Sequence, residues 1–270
     1  MGKQWQAIAL HITNRTKMDQ RISLRAAQVR SYQTEGFLII ENVLSEEEVD
    51  AFVAHQESCG NDAELGLLTH TVDPLWKHIA HHPNVAGVAA QLLEGRPRIV
   101  QSMYLPKKAG EDLLGTAFHQ DTRYLPTEPN TLMGCWIAMS DTGPDNGGLC
   151  VAPGSHLAEM RPTHLTSGEE HHRWTHKHLM RDRQGKEWNQ EMYAFEIDGI
   201  EDDSLTPLEV RKCGAVFFTG LTIHGSYANR SVTRDRVSFA VHYVKDGSWV
   251  FRADVQETVA VTGDFLDGLQ

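Results

Sequence analysis

The 270-residue sequence is poor in cysteine: Cys59, Cys135, Cys150 and Cys213 form no C-x-x-C pair and show no zinc-finger spacing. Nothing in that pattern supports a disulfide framework or a structural zinc module, so the four read as reduced, partly buried thiols. No apolar stretch approaches the roughly 20 residues that cross a bilayer. The opening Met1-Gly2-Lys3-Gln4-Trp5-Gln6 lacks the apolar centre of a signal peptide. These absences predict a cytoplasmic protein with no membrane association. Basic residues are also short in supply, 25 Lys and Arg against 36 Asp and Glu, for a formal net charge of −11. No long Lys/Arg cluster is present, which argues against nucleic-acid binding through phosphate contacts. An anionic small molecule stays compatible, because local charge can oppose the global sign. Internal repeats and low-complexity tracts are lacking too, and oligomeric state leaves no mark on the sequence.

What is present reads as one domain spanning residues 1–270, long enough to bury a large core. Support helices occupy about residues 20–95. Arg21 to Gln33 has helical character, and Gly36-Phe37-Leu38-Ile39-Ile40 suits a short buried strand. Ser45 with Glu48 three positions on is a capping box, followed by the apolar face Val49, Phe52, Val53. Asp73-Pro74 opens another helix, and Asn84 to Leu93 forms the next, stopped by Gly95. From about residue 98 to 245 the pattern becomes strand-like: Arg98 to Leu105, Met133 to Ser140, Leu149 to Ala152, Ala215 to Phe218 and Val237 to Val244, bounded by Gly/Pro/Asn turns. This predicts a mainly β fold, a sandwich or jelly roll with flanking α-helices. Residues of about 157–210 form a long, polar, irregular insertion of the kind that serves as a lid or binding loop.

Two short segments carry chemistry. In Phe118-His119-Gln120-Asp121, His119 and Asp121 sit two apart, so on a strand both side chains leave one face. In Thr222-Ile223-His224-Gly225-Ser226 a second imidazole arrives from another strand. Two imidazoles and one carboxylate suit one face of an octahedral iron(II), leaving the remaining positions for a co-substrate and O₂. Downstream, Arg236-Val237-Ser238-Phe239-Ala240-Val241-His242-Tyr243 alternates so that its even positions point inward. A buried arginine needs a partner, and the two-point match of guanidinium to carboxylate makes Arg236 a candidate anchor for the dicarboxylate 2-oxoglutarate. The competing reading is a surface ion pair with Asp235 or Glu196. His156, His164, His171, His172, His176 and His178 cluster in the insertion. His172 and His176 would align on a helix, but the flanking Arg173, Lys177 and Arg181 disfavour a second metal there, and a polar lid is expected.

With Gln101-Ser102-Met103-Tyr104, His119-Gln120-Asp121, Trp136-Ile137-Ala138, Asn146-Gly147-Gly148-Leu149, Pro153-Gly154-Ser155-His156 and His224-Gly225-Ser226 in this order, the chain resembles the phytanoyl-CoA dioxygenase-like family of iron(II)/2-oxoglutarate-dependent oxygenases from about Glu35 to Tyr243. That resemblance implies a double-stranded β-helix of the cupin type in which His119, Asp121 and His224 hold the metal. It further implies that the arginine after the distal histidine, with Ser226 beside it, holds 2-oxoglutarate, and that Met103, Trp136 and Gln101 line the co-substrate pocket. Met103 and Trp136 also fit plain core. Lys107 stands where such proteins often carry a basic residue; it reads as a solvated lysine, with contact to substrate as the alternative. The family's arginine usually lies about eleven residues past the distal histidine, where this chain has Asp235. Arg234 and Arg236 flank that position, and the strand pattern selects Arg236. Asp121 itself argues against the related halogenases, which replace the carboxylate with a small residue. The resulting expectation is a hydroxylase that uses Fe(II), 2-oxoglutarate and O₂ on an unactivated C–H bond of a small-molecule substrate and releases succinate and CO₂. The alternative is a non-catalytic, cupin-like metal-binding or sensor protein.

Overall fold

The architecture follows from strands that are buried on both faces. β5 (Met133–Ala138) is buried at every position, and β14 (Arg236–Lys245) at all but its last. Such strands belong in the middle of a sheet covered on both sides. In the computed structural model, which describes residues 21–60, 66–111, 113–166 and 171–267, they are central in a six-stranded sheet. Its order is β1 (Phe37–Ile40), β12 (Ala215–Thr219), β5, β14, β2 (Pro97–Lys107), β16 (Val259–Ala260). A second sheet of four strands runs β11 (Thr206–Pro207), β6 (Leu149–Val151), β13 (His224–Ser226), β3 (Thr116–His119), and β4 (Thr127–Glu128) pairs with β15 (Trp249–Val250) outside both. Every pairing in both sheets is antiparallel. The two sheets form the predicted jelly roll.

Alternation assigns each face of the large sheet a different role. Met133, Cys135, Ile137, Ala215, Phe217, Val237, Phe239, Val241 and Tyr243 join one core with the helices, while Trp136, Ala138, Val216, Phe218 and Ala240 join Leu149 and Val151 of the second sheet in another. The helical layer consists of α1 (Ala26–Glu35), α2 (Glu46–Cys59), α3 (Pro74–Ala80) and α4 (Pro83–Leu93). Phe52 and Trp76 each meet Phe239 edge-on at 5.2 Å, and the buried Tyr243 hydroxyl donates to the Ala80 carbonyl at 2.6 Å. The helices are thereby anchored to the strand that carries the inward-facing Arg236 and His242.

Several boundaries move from their expected places. The first helix begins at Ala26 rather than Arg21. The Ser45–Glu48 capping box forms as expected. α4 begins one residue early at Pro83 and ends because Glu94, ahead of Gly95, takes the left-handed conformation. The insertion is more regular than its composition suggested: it holds β7 (Thr163–Leu165), the hairpin β8 (Thr175–Arg181)–β9 (Glu187–Tyr193) and β10 (Phe195–Ile197). Its polar character reflects a two-stranded hairpin with solvent on one face. The helical alignment of His172 with His176 is overturned, because His176 lies on β8, where it shares one face with His178. Among the described residues no helix is long and apolar enough to cross a membrane. The segment Met1 to Gln6 lies outside the described residues.

Candidate metal centre

His119 ends β3, His224 begins β13, and the two are direct cross-strand partners. Their rings stand 4.4 Å apart between centroids. Asp121 is not on the strand. It opens a short 3-10 turn, Asp121–Arg123, whose backbone bonds run from Tyr124 and Leu125 to the Asp121 carbonyl. Gln120 between them stays extended, so Asp121 still leaves on the side of His119. Gln120 is pinned at both ends of its amide, donating to the Leu221 carbonyl at 2.7 Å and accepting from Arg161 N–H at 2.9 Å.

Asp121 Oδ1 lies 3.4 Å from His119 Nε2 and 3.7 Å from His224 Nε2, and His119, Asp121 and His224 form a cluster able to hold a metal. The donor chemistry fits. His119 Nδ1 donates to the Ala117 carbonyl at 2.8 Å and His224 Nδ1 to the Thr222 carbonyl at 3.0 Å. A carbonyl can only accept, so each proton sits on Nδ1 and each Nε2 presents a bare lone pair toward Asp121. Burial pushes the His224 imidazole down to about 4, with the Asp121 carboxylate pulling the other way, which keeps that ligand neutral. For Asp121, burial raises the carboxyl but the imidazoles of His224, His242 and His119 outweigh it, holding the group well below the usual carboxylate range.

A second cluster, Glu48 with His78 and His82, also joins two imidazoles to one carboxylate but not in the same geometry. Glu48 Oε2 accepts the N–H and O–H of Ser45 at 2.8 and 3.0 Å, and Oε1 accepts His78 Nε2 at 2.7 Å. Ligand atoms bound to one metal at about 2.0–2.1 Å in near-tetrahedral geometry stand about 3.3 Å apart, so 2.7 Å is a hydrogen bond. His82 Nδ1 accepts from Asn84 N–H, which puts its proton on Nε2, facing Glu48. This is a hydrogen-bonded junction between helices.

The remaining candidates converge on the space between the sheets. Arg236 is 3% exposed. Its Nη1 donates to the Leu105 carbonyl at 2.6 Å and to Ser238 Oγ at 2.7 Å, and its guanidinium lies 5.9 Å above the Trp136 ring. Arg234 is exposed and pairs with Asp145. Asp235 accepts from Lys108 Nζ and Ala109 N–H, both at 2.8 Å, and Glu196 lies 3.7 Å from His164. The structure therefore separates Arg234 from the interior and places Arg236 in it. Met103 packs half-buried in the interior cluster with Trp136. Gln101 is buried, its Nε2 3.9 Å from Met103 Sδ and 3.4 Å from His242 Nδ1.

The reading of Lys107 as solvated is corrected. It is 5% exposed, pairs across the strands with Arg236, and its Nζ donates to Ser226 Oγ at 3.0 Å, Leu114 O at 3.1 Å and Tyr227 O at 2.5 Å. Its methylenes lie against the backbone at Gly147, which hides the chain while the ammonium spends its three donors on oxygens. His242, whose Nε2 lies 2.9 Å from Asp121 Oδ2, and Phe218, whose ring is 4.3 Å from His224, were not singled out in the sequence. The inward alternation of β14 already carried the signal for His242. Outside the cluster, Tyr124 meets His119 edge-on at 5.4 Å, Trp174 lies 5.4 Å beyond it, and His176 stacks on Trp174 at 5.5 Å. Tyr193 reaches this wall through Phe195, whereas Trp188 packs away from it on Phe251. His156 donates to or accepts from nothing in the cluster; its Nε2 meets the Gln33 carbonyl at 3.0 Å.

A jelly roll with a buried two-histidine, one-carboxylate group opposite an interior arginine is the architecture of the iron- and 2-oxoglutarate-dependent oxygenases. The comparisons agree. The family model for phytanoyl-CoA dioxygenase (PhyH) matches residues 32–237, and the chain belongs to that family. It is 32% identical over 181 residues to phytanoyl-CoA dioxygenase domain-containing protein 1 of Danio rerio, covering 67% of this chain and 56% of the relative. It is 26% identical over 230 residues to phytanoyl-CoA dioxygenase of Arabidopsis thaliana, covering 78% and 73%. The match to the first relative thus spans little more than half of that protein. Among solved structures, the 2-oxoglutarate-dependent carbocyclase SnoK of nogalamycin biosynthesis superposes with a TM-score of 0.64 at 24% identity, covering 87% of this chain and 90% of that one. The epimerase SnoN in complex with Fe3+, alpha ketoglutarate and nogalamycin RO does so with 0.64 at 18%, covering 88% and 96%. At these identities the structural likeness speaks for the fold.

Proposed function

We propose that this chain is an Fe(II)/2-oxoglutarate-dependent dioxygenase that hydroxylates an unactivated C–H bond of a small organic molecule, releasing succinate and CO₂. The observation that carries the reading is the convergence of two bare Nε2 lone pairs and one Asp121 oxygen in a buried pocket, with the protons locked on the Nδ1 side. His119, Asp121 and His224 would hold the iron. Arg236 would take the far carboxylate of 2-oxoglutarate, with Ser226, Trp136, Met103 and Gln101 along the same pocket. When bound, iron, 2-oxoglutarate and O₂ together supply the oxidising chemistry. The chain's own residues bind, orient and exclude water. Arg236 is held by Leu105 O and Ser238 Oγ before any ligand arrives, so little reorganisation is needed on binding. Phe218 and Tyr124 pack against the two imidazoles and restrict their rings. The wall of Tyr124, Trp174 and Phe195 on the outer side supports a substrate with an apolar or planar portion. Residues 157–210 would form its cover within a single domain of residues 1–270.

The test is anaerobic absorption spectroscopy of apo-protein given iron(II) and 2-oxoglutarate. A weak visible charge-transfer band that disappears in His119→Ala, followed by succinate release with candidate substrates, supports the proposal. Iron binding without the band removes 2-oxoglutarate from the site and favours a metal-binding or sensor protein.

A further inference from the structure

Asp121 is contacted by a third imidazole besides those of His119 and His224. His242 Nε2 lies 2.9 Å from Asp121 Oδ2, on the opposite oxygen from the one that faces His119 and His224. His242 is 4% exposed and Asp121 6%, so water does not compete for this contact. On the far side of the ring, Gln101 Nε2 stands 3.4 Å from His242 Nδ1. An amide N–H there meets an acceptor, which leaves the imidazole proton on Nε2, directed at Asp121. The strand register supports this placement. His242 pairs directly with Gln101, and the next pair is Tyr243 with Ile99, so Val100 is an extra residue in β2 at this point. A bulge of that kind re-aims the side chains beside it. Here it returns Ile99 to the helix-side core with Tyr243, while Gln101 and His242 keep the inward alternation of Met103 and Ala240.

We infer that His242, oriented by Gln101, is a positioning residue that holds Asp121 Oδ2 and so presents Asp121 to the metal through Oδ1 alone. This rests on the reading of His119, Asp121 and His224 as a metal centre. A carboxylate free to rotate can coordinate through both oxygens and would occupy one of the positions that the facial ligand set leaves open. A donor fixed on Oδ2 prevents that and lowers the entropy lost when the ligand set closes. Hydrogen-bonding partners behind metal ligands are commonly worth 10–100-fold in metal affinity. The role requires a donor at Nε2 and no change of charge on His242.

The experiment is cobalt(II) titration of the apo-protein, followed by visible ligand-field absorption and referenced to His119→Ala, which sets the baseline for cobalt bound elsewhere. The His242→Leu variant is expected to bind cobalt about 10–100-fold more weakly, and His242→Gln, whose amide can donate to Asp121, to stay within about threefold of wild type. Wild-type affinity in the Leu variant, or equal losses in the Leu and Gln variants, overturns the assignment. If His242→Leu fails to fold by circular dichroism, Gln101→Leu carries the test: a several-fold loss of cobalt affinity supports the positioning chain, and no loss overturns it. A wild-type titration identical to His119→Ala instead overturns the metal centre itself, and the role of His242 with it.

Discussion

Replacing Arg236 by Gln asks which of two neighbouring arginines reads the co-substrate, and the structure sets the expected size of the effect. Arg236 is buried, anchored on Leu105 O and Ser238 Oγ, and lies above Trp136. A carboxylate meeting it there would be desolvated, and truncating one partner of such a buried charge pair costs about 2–5 kcal/mol. At about 1.4 kcal/mol per factor of ten, that is a loss of about 30-fold to several thousand-fold in 2-oxoglutarate affinity. Arg236→Lys keeps the charge but loses the planar fork, so an intermediate loss is expected. Arg234, solvent-exposed and paired with Asp145, is a surface group, and Arg234→Ala should change the affinity by less than about twofold. The assay is anaerobic calorimetric titration of metal-loaded protein with 2-oxoglutarate, with cobalt binding as a check that the metal centre survives each substitution. Retained affinity in Arg236→Gln together with a loss in Arg234→Ala would refute the reasoning and move the anchor to the exposed turn before β14.

Three further outcomes follow from packing and charge. A Cβ added at Gly134 would come within 2.4 Å of the Phe218 ring, which itself lies against His224; Gly134→Ala should cost about 1–3 kcal/mol in denaturant unfolding and weaken cobalt binding as well. Removing the Tyr243 hydroxyl leaves the buried Ala80 carbonyl without its donor, so Tyr243→Phe should lower stability by about 1–2 kcal/mol while leaving metal affinity unchanged. Glu48 is raised by burial but held well below its ordinary value of 4.5 by His78, His82 and Ser45. Below pH 4.5 the unfolded chain therefore binds the Glu48 proton more readily than the folded one, and the stability this group contributes, fully present above that pH, is lost as pH falls toward its folded value. Glu48→Ala should reduce stability at pH 7 by roughly 2–4 kcal/mol and flatten this part of the acid-unfolding slope, and an unchanged slope would sink the assignment.

Much of this was legible in the residues because the physics involved is local. The capping box at Ser45 and Glu48, the opening of a helix at Asp73-Pro74 and the inward alternation of Arg236, Ser238, Ala240 and His242 depend on spacing along one segment. His119 and Asp121 keep a common side even though the strand ends between them, since an extended Gln120 preserves the period of two. The choice of Arg236 over Arg234 came from the same alternation, and the burial of one and exposure of the other agree with it.

Tertiary structure decided what depends on partners distant in sequence. Lys107 carries no local sign of burial; it is buried because the fold brings the end of β2 against the end of β13, where the oxygens of Ser226 and Tyr227, with that of Leu114, meet its three donors. The polar insertion gave no period of its own, and only pairing made β8 and β9 a hairpin. Glu48, His78 and His82 share the residue types of a metal site, and the distances and tautomers, not the composition, make them a hydrogen-bonded junction. Composition and spacing along the chain carried the candidate ligand set and the class of fold, because those follow from periodicity and from the donors each side chain owns. Which oxygen of Asp121 faces the imidazoles, and what holds the other one, came only from the fold, because a hydrogen bond spanning 121 residues has no signature in either segment alone.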